Sequence, residues 1–379
     1  MIIERTALER RVQSSLEARR IPVLLGPCGS GRTTLMRRLA GADRDRARYV
    51  DLAAVATTPE RCVAAVGGSP VAAGTSARAA FDQLIDGFDR ATSAGGGQAA
   101  FLLDEFQELR TFENFPGLRD VQQEFIARLA ASPSNFVLSS RFTARAHRLL
   151  RDAPARFEVI HMPALELAEV ESLAQARDGR ADWARKIAPA VHALSAGRIG
   201  YAAALVDAMA GAASSEAETA LAELFAAGGR LAGMCRFSYE FRLHRARGYG
   251  ALKAILGILA DEEPLTLTDI ANRLHRTPGS TKDYLSWLED VDVLNVQRKK
   301  YTFDDPLVRL FVRLYTAAGP PSHDLIVSET RRFATARMSE PATVLVAAPA
   351  AAPAAAPARA ADLAPADQAA RDTGIIEID

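Results

Sequence analysis

The sequence lacks the features of an exported, membrane-spanning or disulfide-stabilised protein. Its 379 residues include only three cysteines, Cys28, Cys62 and Cys235. An odd number of widely spaced cysteines argues against a disulfide framework and predicts a reducing compartment. The chain has no run of eighteen uncharged apolar residues, and its first residues show neither the basic flank nor the apolar core of an export signal. We therefore expect a cytoplasmic protein with no membrane contact.

The sequence also lacks an excess of charge of either sign. Lysine plus arginine and aspartate plus glutamate number 46 each, so no global charge attracts the chain to nucleic acid. Any basic surface must be local. The six histidines show neither metal-ligand spacing nor the pairing of a nucleophile with its base. The length suffices for two or three domains, each with its own core.

The first 160 residues alternate short apolar runs with longer helical patterns. This alternation is typical of strand-helix-strand units and predicts an α/β fold with a parallel sheet. Apolar residues at three- and four-residue intervals indicate helices over 33–39, 77–91 and 121–130. The predicted strands are 23–25, 48–52, 100–104, 135–139 and 157–161.

A glycine-rich segment directly follows the apolar run 21–25. Such a turn between a strand and a helix directs backbone N–H groups and the positive helix end at one point, which suits a polyphosphate. The alternative for this loop alone is a glycine-rich turn without a ligand. The candidate nucleotide-binding residues are Gly26, Pro27, Cys28, Gly29, Ser30, Gly31, Arg32, Thr33 and Thr34.

The loop matches the pattern G-x-x-x-x-G-K-[ST] at every fixed position except the lysine, which is Arg32. Lysine is a compact point charge, whereas arginine is a wider planar fork that grips phosphate bidentately. We expect Arg32 to keep triphosphate binding but to misplace charge as the transition state forms. The sequence therefore predicts an ATP-binding protein with slow or conditional hydrolysis.

A second apolar run, 101–103, ends in the acidic pair Asp104 and Glu105. An acidic pair at the end of a buried strand supplies what a phosphate-binding loop lacks. Asp104 is suited to hold Mg²⁺ through oxygen ligands. Glu105 is suited to orient or deprotonate an attacking water. Loop and acidic strand together favour a nucleotide site over an empty turn.

The residues after 164 are helical to about 240, and a helix-turn-helix pattern with two short strands follows. Its second helix spans 281–288, and the strands 293–296 and 301–303 flank a basic tip, which predicts a winged helix. Such a helix presents side chains to the major groove and such a tip neutralises phosphates. Protein docking or autoinhibition is the alternative. The candidate DNA-binding residues are Ser280, Thr281, Lys282, Tyr284, Arg298, Lys299 and Lys300.

The C-terminal region from 320 to 379 differs in composition from the rest. It has few aromatic residues, and 347–366 is mostly alanine and proline, which predicts a disordered tether. The last six residues, 374–379, are apolar and β-prone with acidic residues between them. They are suited to add a strand to a partner protein's sheet edge, or they form a terminus without function.

With these motifs the chain resembles the AAA+ ATPases, and among them the archaeal-type ATPases related to origin-recognition proteins and to signal-transduction ATPases with numerous domains (STAND). Further matches are segments 3–5, 139–140, 156–157, 197–201 and 301–306. The resemblance covers residues 1 to about 318 and implies three parts: a nucleotide-binding core over 1–163, a helical lid over 164–240 and a winged helix over 241–319. The tail 320–379, which its composition predicts to be disordered, is the fourth part.

The resemblance also assigns roles around the nucleotide. It implies that Ile2 and Ile3 lie near the adenine and that Thr33 joins Asp104 on Mg²⁺. Ser139 or Ser140 falls where the family has a polar sensor of the attacking water or the terminal phosphate; an ordinary strand-end serine is the alternative.

Two arginines receive roles from the resemblance. Arg156 occupies the place of the arginine finger that a neighbouring subunit inserts, which implies a homo-oligomer. Arg198 is the candidate for contacting the terminal phosphate, although Ile199 stands where the family often has proline.

These features predict an AAA+ ATPase, with ATP and Mg²⁺, that couples its nucleotide state to double-stranded DNA through the winged helix. The alternative is a nucleotide-gated STAND-like switch whose winged helix and tail bind protein partners. A scaffold that only binds nucleotide is a third interpretation, favoured by Arg32 alone.

Overall fold

The strands of the N-terminal half carry apolar side chains on both faces, as strands do in a sheet covered on both sides. In the computed structural model, which describes residues 5–43, 46–92, 99–211, 216–244, 248–316 and 319–339, they form one parallel sheet. Its order is β2-β3-β4-β1-β5. The strands are β1 (Ile21–Leu25), β2 (Ala47–Asp51), β3 (Ala100–Asp104), β4 (Asn135–Ser140) and β5 (Phe157–His161).

Alternate strand residues enter two separate cores. Val23 and Phe101 pack in one core, whereas their neighbours Leu24 and Leu102 pack in the other, against the first two helices. A 3-10 segment, Phe106–Asn114, follows β3. The helices of this half are α1 (Thr6–Glu17), α2 (Arg32–Ala42), α3 (Leu52–Val55), α4 (Pro59–Ala65), α5 (Ala77–Arg90), α6 (Val121–Ala131) and α7 (Thr143–Leu150).

Five helices follow the sheet. Their apolar faces meet in a core that also includes residues from the C-terminal part, up to Ala334, so the two parts share one hydrophobic interior. The helices are α8 (Leu167–Asp178), α9 (Ala181–Ser195), α10 (Ile199–Gly211), α11 (Ala217–Phe225) and α12 (Arg230–Leu243). We call α8 to α12 the helical lid.

The next elements form a small antiparallel sheet of order β6-β8-β7 with helices around it. Thr277 starts one of the two 13-residue helices because its hydroxyl accepts from Ser280 N and Pro278 follows it. We call 249–303 the C-terminal module. Its elements are α13 (Tyr249–Asp261), β6 (Leu265–Thr266), α14 (Leu267–Arg273), α15 (Pro278–Asp290), β7 (Leu294–Gln297) and β8 (Lys300–Phe303).

Two helices complete the described chain, α16 (Pro306–Tyr315) and α17 (His323–Ser339). The predicted α/β class with a parallel sheet is confirmed, and the five strands lie within one or two residues of their predicted ends. Ile2, Ile3 and the predicted tether with its 374–379 segment lie outside the described residues.

Candidate nucleotide site

The glycine-rich segment forms a tight turn between β1 and α2. Gly31 precedes α2 with φ 90°, and Gly29 has φ 77°, conformations that side chains with a Cβ rarely adopt. The helix then begins at Arg32, so the free N–H groups of its first turn lie at the carboxyl end of a central strand. This is the geometry that suits an anion.

Asp104 lies beside this turn at the end of β3 and is 2% exposed. Thr33 Oγ1 donates to Asp104 Oδ2 at 2.7 Å, and Tyr49 OH donates to the same oxygen at 2.8 Å. Ser139 Oγ donates to Oδ1. Burial and the bond to Asp104 raise the pKa of Tyr49, which keeps its hydroxyl a donor. A hydroxyl and a carboxylate in contact are oxygen ligands of the kind that Mg²⁺ prefers.

Glu105 follows in a left-handed conformation, with φ 57°. Its backbone N donates to Ser139 Oγ at 3.2 Å. One carboxylate oxygen, Oε1, lies 2.9 Å from Arg32 Nη2. The other, Oε2, accepts from the backbone N of Arg141 and lies 3.0 Å from Arg141 Nε. Burial lowers the pKa of Arg141, but the Glu105 carboxylate raises it on balance.

A cavity of about 310 Å³ opens at the turn, between the first helices and the lid. Several of its lining side chains have buried donor atoms with no hydrogen-bond partner among the residues that the structure describes: Arg5 Nε and Nη1, Ser30 Oγ, and Arg32 Nε and Nη1. Buried polar groups are rarely left unpaired in native structures, so such a set marks a missing acceptor. The complete lining is Arg5, Glu9, Gly29, Ser30, Gly31, Arg32, Thr33, Thr34, Leu35, Arg38, Leu173, Ile199, Gly200 and Ala203.

The helical lid contacts the glycine-rich turn directly. Gly200 N, in the first turn of α10, donates to Gly29 O at 2.9 Å. A Cβ on Gly200 would lie 3.2 Å from Gly29 Cα and 2.9 Å from Met234 Cε. Only glycine therefore allows the two backbones to approach this closely. The turn is enclosed between the sheet domain and the lid.

The guanidinium of Arg198 contacts two carboxylates that directly precede α16. Its Nη1 lies 2.6 Å from Asp305 Oδ2, and its Nη2 lies 3.2 Å from Asp304 Oδ2. Tyr201 OH donates to the same Asp305 oxygen at 2.7 Å. Burial alone would lower the pKa of Arg198, but the carboxylates of Asp305 and Asp304 together have the larger effect and raise it. The guanidinium therefore stays charged.

The C-terminal module is also held on the sheet domain. Asp292 accepts from Thr143 N at 2.6 Å and from Ala144 N at 3.0 Å, which caps the start of α7 from another part of the chain. Asp290, at the end of α15, forms an ion pair with Arg148 of α7. Burial raises the pKa of Asp292 to about 6.

Arg156 lies at the amino end of β5, and its guanidinium is occupied within its own chain. It donates to the carbonyl oxygens of Arg19, Leu129, Ala130, Ser132 and Ser134 at 2.6 to 3.2 Å. These contacts tie the end of α6 to the edge of the sheet. The arginine-finger role stays a prediction, because a finger would have to leave these acceptors.

The candidate DNA-binding residues divide by exposure. Ser280, Lys282 and the basic tip, Arg298 to Lys300, are exposed, and Tyr284 is half-buried. Thr281 is fully buried, and its hydroxyl donates to Thr277 O at 3.0 Å. The prediction that Thr281 contacts DNA is therefore wrong, because it lies on the apolar face of α15 with Leu285.

The structure thus brings together most of the predicted nucleotide residues and adds others. Ser139 reaches both acidic residues, whereas Ser140 Oγ accepts from Phe142 N and takes part in the following turn. Sequence reasoning missed Tyr49 and Arg141 as partners of the acidic pair. Arg141 directly follows the two serines at the end of β4, and this position could have indicated that it lies near the acidic pair.

Within the described residues, no group of three or more His, Cys, Asp or Glu side chains is placed to hold a metal ion. Across those same ranges, no helix is long and apolar enough to cross a membrane.

Comparison with known proteins gives structural likenesses only. No protein-family model matches the chain, and no curated protein matches it significantly. The Walker-type ATPase PABY2304 of Pyrococcus abyssi is similar in structure, with a TM-score of 0.60 and 16% identity over 82% of this chain and 96% of that one. This likeness shows that the chain has the fold of a Walker-type ATPase.

Two further solved structures have lower scores. The Aeropyrum pernix ORC1 protein in complex with DNA has a TM-score of 0.46 and 17% identity, over 82% of this chain and 92% of that one. The Thermotoga maritima RuvB Holliday junction branch migration motor has a TM-score of 0.40 and 13% identity, over 79% and 92%.

Proposed function

We propose that the chain is an AAA+ ATPase that binds Mg·ATP in the cavity beside the glycine-rich turn. The observation that carries this proposal is the set of buried donors without a hydrogen bond on Arg5, Ser30 and Arg32 around that cavity, of which Arg5 Nε lies 3.8 Å from Glu169 Oε1. A polyphosphate supplies the missing acceptors, and the first turn of α2 supplies further N–H groups. A glycine-rich turn without a ligand does not account for buried arginine nitrogens left unpaired.

In this proposal Thr33 and Asp104 would hold Mg²⁺, which would supply positive charge beside the phosphates. Glu105 accepts the proton of the attacking water, and Ser139 fixes the acidic pair through its contacts with Asp104 and with Glu105 N. Arg141, beside Glu105, adds positive charge at the carboxyl end of the sheet.

Hydrolysis is proposed to be slow, because Glu105 is paired with two arginines. Turnover of the purified chain is compared with that of the Arg32→Lys variant at saturating Mg·ATP. We expect the variant to be faster by about fivefold, since lysine cannot hold phosphate and carboxylate in one fork. Wild-type turnover equal to the variant's would contradict slow hydrolysis caused by Arg32.

We further propose that the C-terminal module is a winged helix that grips duplex DNA and that ATP promotes homo-oligomers. The support is the exposed basic tip, where Arg298 and Lys299 have φ 51° and 64° and form the two-residue turn between β7 and β8. Titration of labelled duplex at rising salt tests this. Phosphate contacts predict affinity that falls steeply with salt, and Arg298→Gln with Lys299→Gln reduces the slope by about two.

The matched control is Lys253→Gln with Arg230→Gln, which removes two positive charges at positions outside the module tip and helix α15. No shift of duplex at low salt would contradict DNA binding. Light scattering with and without ATP and duplex reports the subunit number, and an unchanged monomer under all conditions would contradict assembly.

A second function, the STAND-like switch, is favoured by the docking of the module. Asp292 of the module caps α7, and Asp305, just after the module, pairs with Arg198 of the lid, so this C-terminal part of the chain contacts both parts that surround the cavity. In this case ATP releases the module to bind a protein partner. Hydrogen exchange at Thr143 and Ala144 that speeds up with ATP, without any duplex binding, would favour the switch over the DNA-associated ATPase.

A further inference from the structure

The carboxylate of Glu105 has both of its oxygens engaged by cations of its own chain. Oε1 is paired with Arg32 Nη2 at 2.9 Å, and Oε2 contacts Arg141 through backbone N and Nε. The side chains of Glu105 and Arg32 are 7% and 6% exposed. In this arrangement each carboxylate oxygen already has an arginine partner.

Arg32 is only partly satisfied by this pairing. A guanidinium has five N–H donors, and Nε and Nη1 of Arg32 find no acceptor within the described chain. Both atoms are buried, and Arg32 lines the cavity at the glycine-rich turn. Unpaired buried donors cost free energy, so a phosphate oxygen that reaches them is strongly favoured.

The conformation of Glu105 fits a residue held for function. A non-glycine residue at φ 57° and ψ 49° is uncommon, and such strain is kept only where surrounding contacts impose it. Here the contacts are Ser139 Oγ on its backbone and the two arginines on its carboxylate.

From these contacts we propose that Arg32 is a positioning residue that locks Glu105, and that bound polyphosphate and Glu105 compete for its guanidinium. This inference rests on the proposed function, because it concerns the regulation of the same site. Without nucleotide, Arg32 pairs with Glu105 and keeps the carboxylate from water. Nucleotide draws the guanidinium toward phosphate and weakens that pair.

Competition predicts a coupling between Arg32 and Glu105 in nucleotide affinity. Replacing Glu105 by glutamine removes the competitor, so phosphate binds a guanidinium that no longer has to leave a carboxylate. The same change also removes direct repulsion between the carboxylate and phosphate, and this second effect does not need Arg32. A double-mutant cycle separates the two contributions.

The cycle uses the full chain, Glu105→Gln, Arg32→Gln and the double variant. The probe is adenylyl imidodiphosphate with Mg²⁺, an analogue that is not hydrolysed, measured by titration calorimetry. We expect Glu105→Gln to tighten binding about tenfold when Arg32 is present and less than about threefold when Arg32 is replaced by glutamine. Glu113→Gln, in the segment after β3 and paired with Arg110 instead, is the matched control and leaves affinity unchanged.

An equal gain in both backgrounds would assign the effect to direct repulsion and overturn the lock, as would no gain in either background. Urea denaturation of each variant confirms that all four chains are folded. Failure of the proposed function gives a different result, since the wild-type chain would then show no heat with the analogue. Binding by the wild-type chain without coupling defeats the lock alone.

Discussion

Arg198 Nη1 lies 2.6 Å from Asp305 Oδ2, so the arginine that the family resemblance assigns to the terminal phosphate is paired with the start of α16. Asp305 also caps that helix, because its Oδ1 accepts from Leu307 N and Val308 N. The side chains of Arg198 and Asp305 are 12% and 3% exposed, so this is a buried ion pair that connects the lid to the C-terminal part.

Replacing Asp305 by asparagine is expected to destabilise the chain by about 3 kcal/mol, because it removes the buried partner of Arg198 and leaves the guanidinium with only the more exposed Asp304 carboxylate. Asparagine keeps the helix cap, so the loss reports the ion pair rather than the cap. The matched variant Asp304→Asn removes the more exposed partner and costs less than about 1 kcal/mol. Urea denaturation measures both, and equal losses would contradict the buried pair.

Tyr49→Phe is expected to weaken Mg²⁺-dependent nucleotide binding about tenfold, because Asp104 loses one of the donors that orient its carboxylate. Nucleotide affinity measured without Mg²⁺ stays the same. Calorimetry over a range of Mg²⁺ concentrations gives the Mg²⁺ concentration at which nucleotide affinity is half-way to its maximum. Tyr249→Phe, which removes a hydroxyl bonded to Glu240, is the control. An unchanged Mg²⁺ midpoint for Tyr49→Phe would show that Tyr49 does not position Asp104.

Arg156→Ala is expected to lower stability by about 2 kcal/mol, because five carbonyl oxygens lose a charged donor. Turnover per folded chain is expected to stay within about twofold if the residue is structural. A fall of about a thousandfold in turnover with unchanged stability would instead support the arginine-finger prediction.

The pH dependence of stability should carry a contribution from Asp292. Its pKa is raised by burial to about 6 in the folded chain, against an ordinary 3.8. The folded state therefore holds this proton more tightly than the unfolded state does. The contribution to stability is complete below about pH 4 and is lost as the pH rises through about 6.

Comparing the chain with Asp292→Asn isolates this contribution, on the order of 1–2 kcal/mol once partial solvent access is allowed for. Urea denaturation from pH 4 to pH 8 should show the difference in stability between the two chains changing near pH 6. Asp283→Asn, at an exposed position in α15, serves as the control for removing a carboxylate from the same module. A flat difference for Asp292→Asn would contradict the raised pKa.

The sheet and the glycine-rich turn were predictable because their signals are local. Each signal spans only a few consecutive residues: the apolar run before Gly26 with the glycines that follow it, and the apolar run 101–103 with the acidic pair that follows it. The element ends followed from the same patterns. Thr281 shows the limit of such reasoning even locally, since its spacing of four from Leu285 places it on the buried face of α15.

The long-range contacts around the site were not predictable, because they depend on strand register and on how the parts of the chain pack together. Tyr49 reaches Asp104 only because β2 pairs with β3 in a register that sets Asp51 beside Asp104. The pair of Arg198 with Asp305 joins residues that are 107 positions apart. The segments 197–201 and 301–306 that contain these two residues each carry a recognisable motif, but the spacing between the segments does not show that they are in contact.

The measurement that tests the central claim most directly is titration calorimetry of the full chain with Mg·ATP. The account predicts one nucleotide per chain with micromolar or tighter affinity, about a hundredfold weaker after Arg32→Ala, which removes two to three charge-assisted bonds to phosphate. No heat from the folded wild-type chain at saturating Mg·ATP, or equal affinity in both chains, would contradict it.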